Sequence, residues 1–205
     1  MPQIKKKQRV KRGKGIIVDI GTGDGKFTYK IAKENPDRLV IGIDPNAKGA
    51  QKYSAKIYKQ ASRGGLENAL FVLASVEDLP EELNGLANQV FINFPWGSLL
   101  KGIVFAEDLV WNNLKRICQK GAYIDLLFGY DENFDKGKME KLGLSILDEG
   151  YINDVLIPKL KTKGVKVIEA EELSSKELVH YPTTWAKKMA FGKEREWWWM
   201  RLKNN

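Results

Sequence analysis

The feature that most restricts what this chain can fold into is the run Asp19-Ile20-Gly21-Thr22-Gly23-Asp24-Gly25, set between an apolar β-branched stretch and a helical pattern. Gly15 to Ile20 reads as a short buried strand. Lys26 to Glu34 reads as a helix, because Phe27 and Ile31 fall one turn apart on the same face and Asn35-Pro36 stops the pattern. Glycines between the two remove Cβ atoms, which lets the backbone bend sharply and approach a ligand closely.

The same rhythm continues. Leu39 to Ile43 is a second strand, Asn46 to Ser62 a long basic helix ended by Gly64-Gly65, and Ala69 to Leu73 a third strand. Gln89 to Asn93 and Ala122 to Phe128 read as strands four and five, with a helix from about Glu107 to Gln119 between them. Further on, Ile146 to Lys163 reads as a helix and Val165 to Ile168 as a strand, and Lys188 to Arg201 contains the last strand. Gly129 to Gly143 is polar and charged, and Trp197-Trp198-Trp199 shows no clear alternation. The expectation is one α/β domain over 1–205: a Rossmann-like, seven-stranded, mostly parallel sheet with helices on both faces. A basic N-terminal stretch (1–14) precedes it, and insertions near 129–145 and 170–188 are expected to form part of the substrate face.

The glycine loop lacks the final spacing of the dinucleotide fingerprint and carries two carboxylates. Those acids would repel a pyrophosphate but suit the ammonium of a methionine moiety, so S-adenosylmethionine is favoured over NAD. Asp44, in Gly42-Ile43-Asp44-Pro45, follows the glycines by about 20 residues, where doubly wound sheets place an acid on the ribose hydroxyls. Glu77 follows strand three, where the topology brings a loop to the adenine. Either motif alone is also explained by a tight turn or a helix cap; together they define a cofactor pocket.

Strand four ends in Asn93-Phe94-Pro95-Trp96, in the middle of such a sheet. An aromatic there can hold a flat base, and carbonyls beside a proline stay free to accept hydrogen bonds from an exocyclic amine. Trp185, in a second aromatic and basic segment from His180 to Lys188, is a partner for Trp96 in sandwiching a flipped base. Lysines and arginines outnumber acids by 34 to 26, a net charge of +8 that suits a polyanion once the charges cluster. Lys52, Lys56 and Lys59 recur at helical spacing, with Arg63 nearby; Lys187, Lys188, Lys193, Arg195 and Arg201 surround the second tryptophan. A solvated basic surface is the alternative reading.

With these residues assembled, the sequence resembles the Kam and Npm aminoglycoside-resistance methyltransferases, which modify N1 of a decoding-site adenine, adenine 1408, of 16S rRNA. The resemblance runs through Val18 to Gly25, Ile41 to Pro45, Arg63 to Leu66, Phe94 to Leu100 and Trp185 to Gly192. It implies a class I fold, S-adenosylmethionine as donor and the assembled small ribosomal subunit as substrate. By position, Asp19, Gly21, Ser98 and Thr183 would hold the methionine part, Asp44 the ribose, and Val76 with Glu77 the adenine. Gly23, Pro45 and Asn93 are counted with these cofactor residues. Trp96 and Trp185 would stack on the target base while the carbonyls near Phe94 and Pro95 read its amino group. Lys188, Lys193 and Arg195 would contact rRNA, the first two being lysine where arginine is expected. Asn93 departs toward the general amino-methyltransferase pattern.

A rival enzyme reading keeps the cofactor but methylates another RNA, a protein or a small amine; a non-enzymatic one is a ribosome-binding protein with a vestigial fold. One cysteine, Cys118, and one histidine, His180, argue against a metal site. No apolar run approaches the ~20 residues that span a bilayer, and the basic N-terminus lacks the core of a signal peptide, so a cytoplasmic protein is expected; a monomer is expected as well, although nothing in the sequence fixes the oligomeric state.

Overall fold

A computed structural model describes residues 14–205. One sheet holds seven strands: β1 (Ile16–Ile20), β2 (Leu39–Asp44), β3 (Ala69–Leu73), β4 (Ala87–Asn93), β5 (Cys118–Phe128), β6 (Val165–Ser174) and β7 (Glu196–Asn204). Their order is β3-β2-β1-β4-β5-β7-β6, with β7 antiparallel to both neighbours and the β1 to β5 pairings parallel. The chain leaves β1 for β2 on one side and later returns to pair β4 on the other. That reversal opens a crevice at the carboxyl ends of β1 and β4, where such sheets bind ligands.

Apolar residues on both sides of the central strands explain the two covered faces. Helices α1 (Lys26–Glu34) and α2 (Ala47–Ile57) bury Tyr29, Ala32 and Ile57 against Ile17, Val40 and Ala69. On the opposite face, α3 (Gly97–Val104) and α4 (Asp108–Ile117) bury Leu100, Ile103, Trp111 and Leu114 against Val18, Ile43 and Val90. The three consecutive tryptophans lie in β7 between two neighbours. Trp197 packs under Phe94 on one face and Trp198 enters the large core on the other, so alternation is hidden because both faces are apolar.

Several expected boundaries move. The basic helix ends at Ile57, not near Ser62, because the Leu66 N–H takes the Ile57 carbonyl and the chain folds back. At Gly65 a Cβ would stand 1.7 Å from the Lys59 carbonyl oxygen, so that reversal requires glycine. Lys59 and Arg63 therefore lie beyond the helix that carries Lys52 and Lys56. The helix expected from Ile146 starts only with a π-helical turn at Tyr151–Leu156, followed by α6 (Ile157–Thr162). Pro158 lacks the N–H that an α-helical turn would use there. β6 runs six residues past its expected end as an exposed edge strand, bulged between Val167 and Glu169.

Three helices were not anticipated: α3, α5 (Glu132–Leu142) and α7 (Thr184–Ala190). Asp131 caps α5 by accepting from Asn133 N at 2.8 Å, and Thr183 caps α7 by accepting from Ala186 N at 2.8 Å. Among the described residues no helix is long and apolar enough to cross a membrane.

Candidate functional site

The loops after β1, β2, β3 and β4 meet the arm between β6 and β7 around a cleft of about 270 Å³. Every residue singled out for cofactor or base contact lines it: Asp19, Gly21, Gly23, Asp44, Pro45, Val76, Glu77, Asn93, Phe94, Pro95, Trp96, Ser98, Thr183 and Trp185. Asp24, the second carboxylate of the glycine loop, lines it too, and so do Thr22, Phe27, Ser75, Leu99 and Thr184, which the sequence motifs do not single out.

Asp19 is 1% exposed at the end of β1. Its Oδ2 accepts from Thr28 Oγ1 at 2.7 Å, and the Thr28 hydroxyl meets that of Thr22 at 2.6 Å. Burial pushes its carboxyl up to about 6 despite donation from Thr28 and Thr22, with the negative Asp44 and Asp24 adding to the rise. A cation in the cleft would reverse that balance. Gly23 takes a left-handed φ of 57°, and its N–H donates to Asp44 Oδ2 at 2.9 Å. Asp44 Oδ1 accepts from Asn46 N at 2.8 Å. Each Asp44 oxygen thus has one lone pair engaged and one left for a hydroxyl. Burial would raise the Glu77 carboxyl, but hydrogen bonds from Ser98, its own backbone and Ser75 outweigh burial and hold it below its ordinary value.

Phe94 sits just past β4 with φ 51°, a region non-glycine residues rarely adopt. Its N–H bonds to the Leu127 carbonyl at 2.7 Å, and its ring is wedged edge-on between Tyr181 and Trp197, at 6.5 and 5.1 Å. Packing holds the strained turn that presents Pro95 and Trp96 to the cleft. Tyr181 donates to Asn93 Oδ1 at 3.0 Å and stacks on Phe27 at 6.2 Å. Burial, with help from Asp125 and Asp19 and against Arg201, pushes its phenol well above the usual range, so it keeps the proton it donates. Asn93 Nδ2 is buried without a hydrogen-bond partner.

The basic residues divide into two groups. Lys188 Nζ lies 4.8 Å from the centroid of Trp185, which lines the cleft, and Lys193 Nζ lies 4.5 Å from that of Phe134 on α5. Arg195 is different: its Nη1 bonds Asp135 Oδ2 at 2.7 Å, and both side chains are largely buried, at 17% and 4% exposed. The free cation expected at Arg195 is instead half of an internal ion pair. Lys56 lies over Tyr29 at 4.3 Å, and Lys52 approaches Tyr53 at 5.7 Å. Since α2 starts just after Asp44, Lys56 sits toward its far end, on the order of 15 Å from its start, with Lys59 and Arg63 beyond the helix. Among the described residues no group of three or more metal-ligating side chains comes together.

A buried acid at the loop, a second acid with lone pairs left over and an unpartnered amide donor fit a nucleoside bearing both positive charge and hydroxyls. Sheet order and cleft together define a class I S-adenosylmethionine-dependent methyltransferase. Residues 2–203 match the family model for NpmA, described as 16S rRNA (adenine(1408)-N(1))-methyltransferase. The chain belongs to this family. An Escherichia coli enzyme of that description is 33% identical over 181 residues, covering 88% of this chain and 83% of the relative. The Streptoalloteichus tenebrarius enzyme is 29% identical over 88% of this chain and 82% of its own length. Among solved structures, the aminoglycoside resistance methyltransferase NpmB1 superposes with TM-score 0.80 at 32% identity, covering 97% of this chain and 91% of that one. A 16S rRNA (adenine(1408)-N(1))-methyltransferase from Catenulisporales acidiphilia, solved with the cosubstrate SAM, gives 0.84 at 26% identity over 94% and 87%.

Proposed function

We propose that this protein methylates N1 of adenine 1408 in 16S rRNA, using S-adenosylmethionine, and that it acts as a cytoplasmic monomer on the assembled small ribosomal subunit, giving resistance to aminoglycosides. One observation carries the reading: two indoles from distant segments, Trp96 and Trp185, line the same cleft as Asp19 and Asp44.

In this reading Asp19 and Thr183 face the methionine part and Asp44 the ribose, with Glu77 and Val76 beside the adenine. The bound cofactor supplies an electrophilic methyl group. Trp96 and Trp185 stack the extruded base, and carbonyls at Phe94 and Pro95 accept from its exocyclic amine, which turns N1 toward the methyl. N1 carries a free lone pair at neutral pH, so no residue has to remove a proton; alignment supplies most of the acceleration. Base extrusion costs a few kcal/mol, and aromatic stacking returns ~1–3 kcal/mol per base. Lys188, over the cleft-lining Trp185, and Lys193, on the same arm, would meet phosphates, with Lys52, Lys56, Lys59 and Arg63 along a more distant stretch of backbone. The arm around α7 and the segment around α5 form the substrate face.

Purified small subunits incubated with labelled donor, followed by reverse-transcription mapping, test the assignment. A stop at adenine 1408 is expected. Incorporation elsewhere, or none, would overturn it.

A further inference from the structure

We propose that Lys138, acting through the indole of Trp96, makes the base slot discriminate by charge against the methylated product. The inference rests on the assignment of the cleft to adenine-N1 methylation. In that reaction one N–C bond forms, one S–C bond breaks and the positive charge passes from sulfur to the base, with no proton lost. The base that enters is neutral, and the base that must leave is a cation. Indole faces attract cations, so a slot built of two bare indoles would hold its product more tightly than its substrate.

Neither indole is bare. Lys138 Nζ lies 4.1 Å from the Trp96 ring centroid, and Lys188 Nζ lies 4.8 Å from that of Trp185. Both tryptophans line the cleft and neither lysine is among its lining residues, the placement expected if each ammonium stacks on the ring face opposite the base. Lys138 is held in place by Asp135 Oδ1 at 3.5 Å, and Asp135 is itself fixed, 4% exposed and bonded to Arg195. A base stacked on the cleft side of Trp96 would stand roughly 8 Å from that ammonium, close enough for like charges to repel appreciably at a protein surface. The Lys138 side chain is 62% exposed, which weakens the repulsion. What remains disfavours the cationic base relative to the neutral one by about threefold to tenfold. Lys138 is thus a positioning residue that eases product departure without touching the reacting atoms.

The test compares the affinity of the protein for unmodified small subunits with that for subunits already methylated at the target adenine, in the parent, Lys138→Met and Lys138→Arg. Lys138→Met is expected to shift the ratio toward the methylated form by about threefold to tenfold, to lower steady-state turnover and to leave the single-turnover rate unchanged. Lys138→Arg should restore the parent ratio. The difference between parent and Lys138→Met should shrink as pH rises and N1-methyladenine loses its proton, a response that a merely structural lysine would not produce. A parent that leaves the adenine unmodified sinks the functional assignment itself. An active parent with the same affinity ratio in Lys138→Met sinks the charge discrimination alone.

Discussion

Thr184 Oγ1 donates a 2.6 Å hydrogen bond to Asp24 Oδ2, fastening the arm between β6 and β7 to the glycine loop after β1. The residue before it, Thr183, both caps α7 and lines the cleft, so the tie positions a wall of the cofactor pocket from the outside.

Thr184→Val is expected to weaken S-adenosylmethionine binding while leaving the fold intact. A hydrogen bond to a charged group contributes ~1.5–3 kcal/mol when shielded, and the exposure of this pair brings that to about 1 kcal/mol. Calorimetry should show affinity falling by about fivefold; an unchanged affinity would mean that the tie has no hold on the pocket.

Asp19 makes both stability and cofactor binding depend on pH, in opposite senses. Its folded value of about 6 lies above the ordinary 3.8, so the protein alone is most stable when this group is protonated. That contribution is fully present below about pH 4 and is lost as pH rises through about 6, a change of about 3 kcal/mol. Binding of a cation runs the other way, strengthening as the carboxylate forms over the same window. Melts across this range should slope downward with pH in the parent and flatten in Asp19→Asn, whose cofactor affinity is low throughout. A parent whose cofactor affinity does not vary from pH 4 to pH 7 contradicts the assignment of Asp19.

Trp96→Ala and Trp185→Ala should each remove most methylation without much change in cofactor affinity. Loss of one stacking partner, at ~1–3 kcal/mol per base, corresponds to at least about a fivefold to hundredfold drop in rate. Trp185 is 44% exposed, so its truncation leaves the core intact and the loss is read as substrate contact. Both variants methylating subunits at the parent rate would rule out the sandwich.

Neighbouring cations should behave differently. Lys188→Met and Lys193→Met should each weaken subunit binding and flatten its dependence on salt by about one counterion, with little effect on melting. Arg195→Met instead leaves the buried Asp135 carboxylate with only the exposed Lys138 as a cationic partner and should cost about 3 kcal/mol of stability. Chemical denaturation of the three variants checks this; an Arg195→Met protein as stable as the parent would show that the ion pair does not support the fold.

Much of the site could be read from the chain because its signals are local. The β-branched run and the glycines are contiguous, the acid follows at the end of the very next strand, and the structure gathers all of them at one cleft. The substrate half was legible as residue types, Pro95-Trp96-Gly97 and Thr183-Thr184-Trp185, but not as geometry. α5 is not legible because it lacks a sustained apolar stripe, and α7 because it is short, although Asp131 and Thr183 stand at their caps. The overlong basic helix came from following charge spacing past Ile57, where a backbone reversal at Gly65 decides the end.

The sequence by itself determined the parallel α/β sheet, the cofactor loop and the acid that closes it, since hydrophobic period and glycine sterics are properties of neighbouring residues. Only the tertiary structure decided which cations are free and which are committed. Arg195 with Asp135, Lys138 over Trp96 and Thr184 on Asp24 each join residues far apart or on different elements. Those pairings follow from strand order and from how the β6–β7 arm packs over Phe94, and neither is encoded in the spacing of residues along the chain.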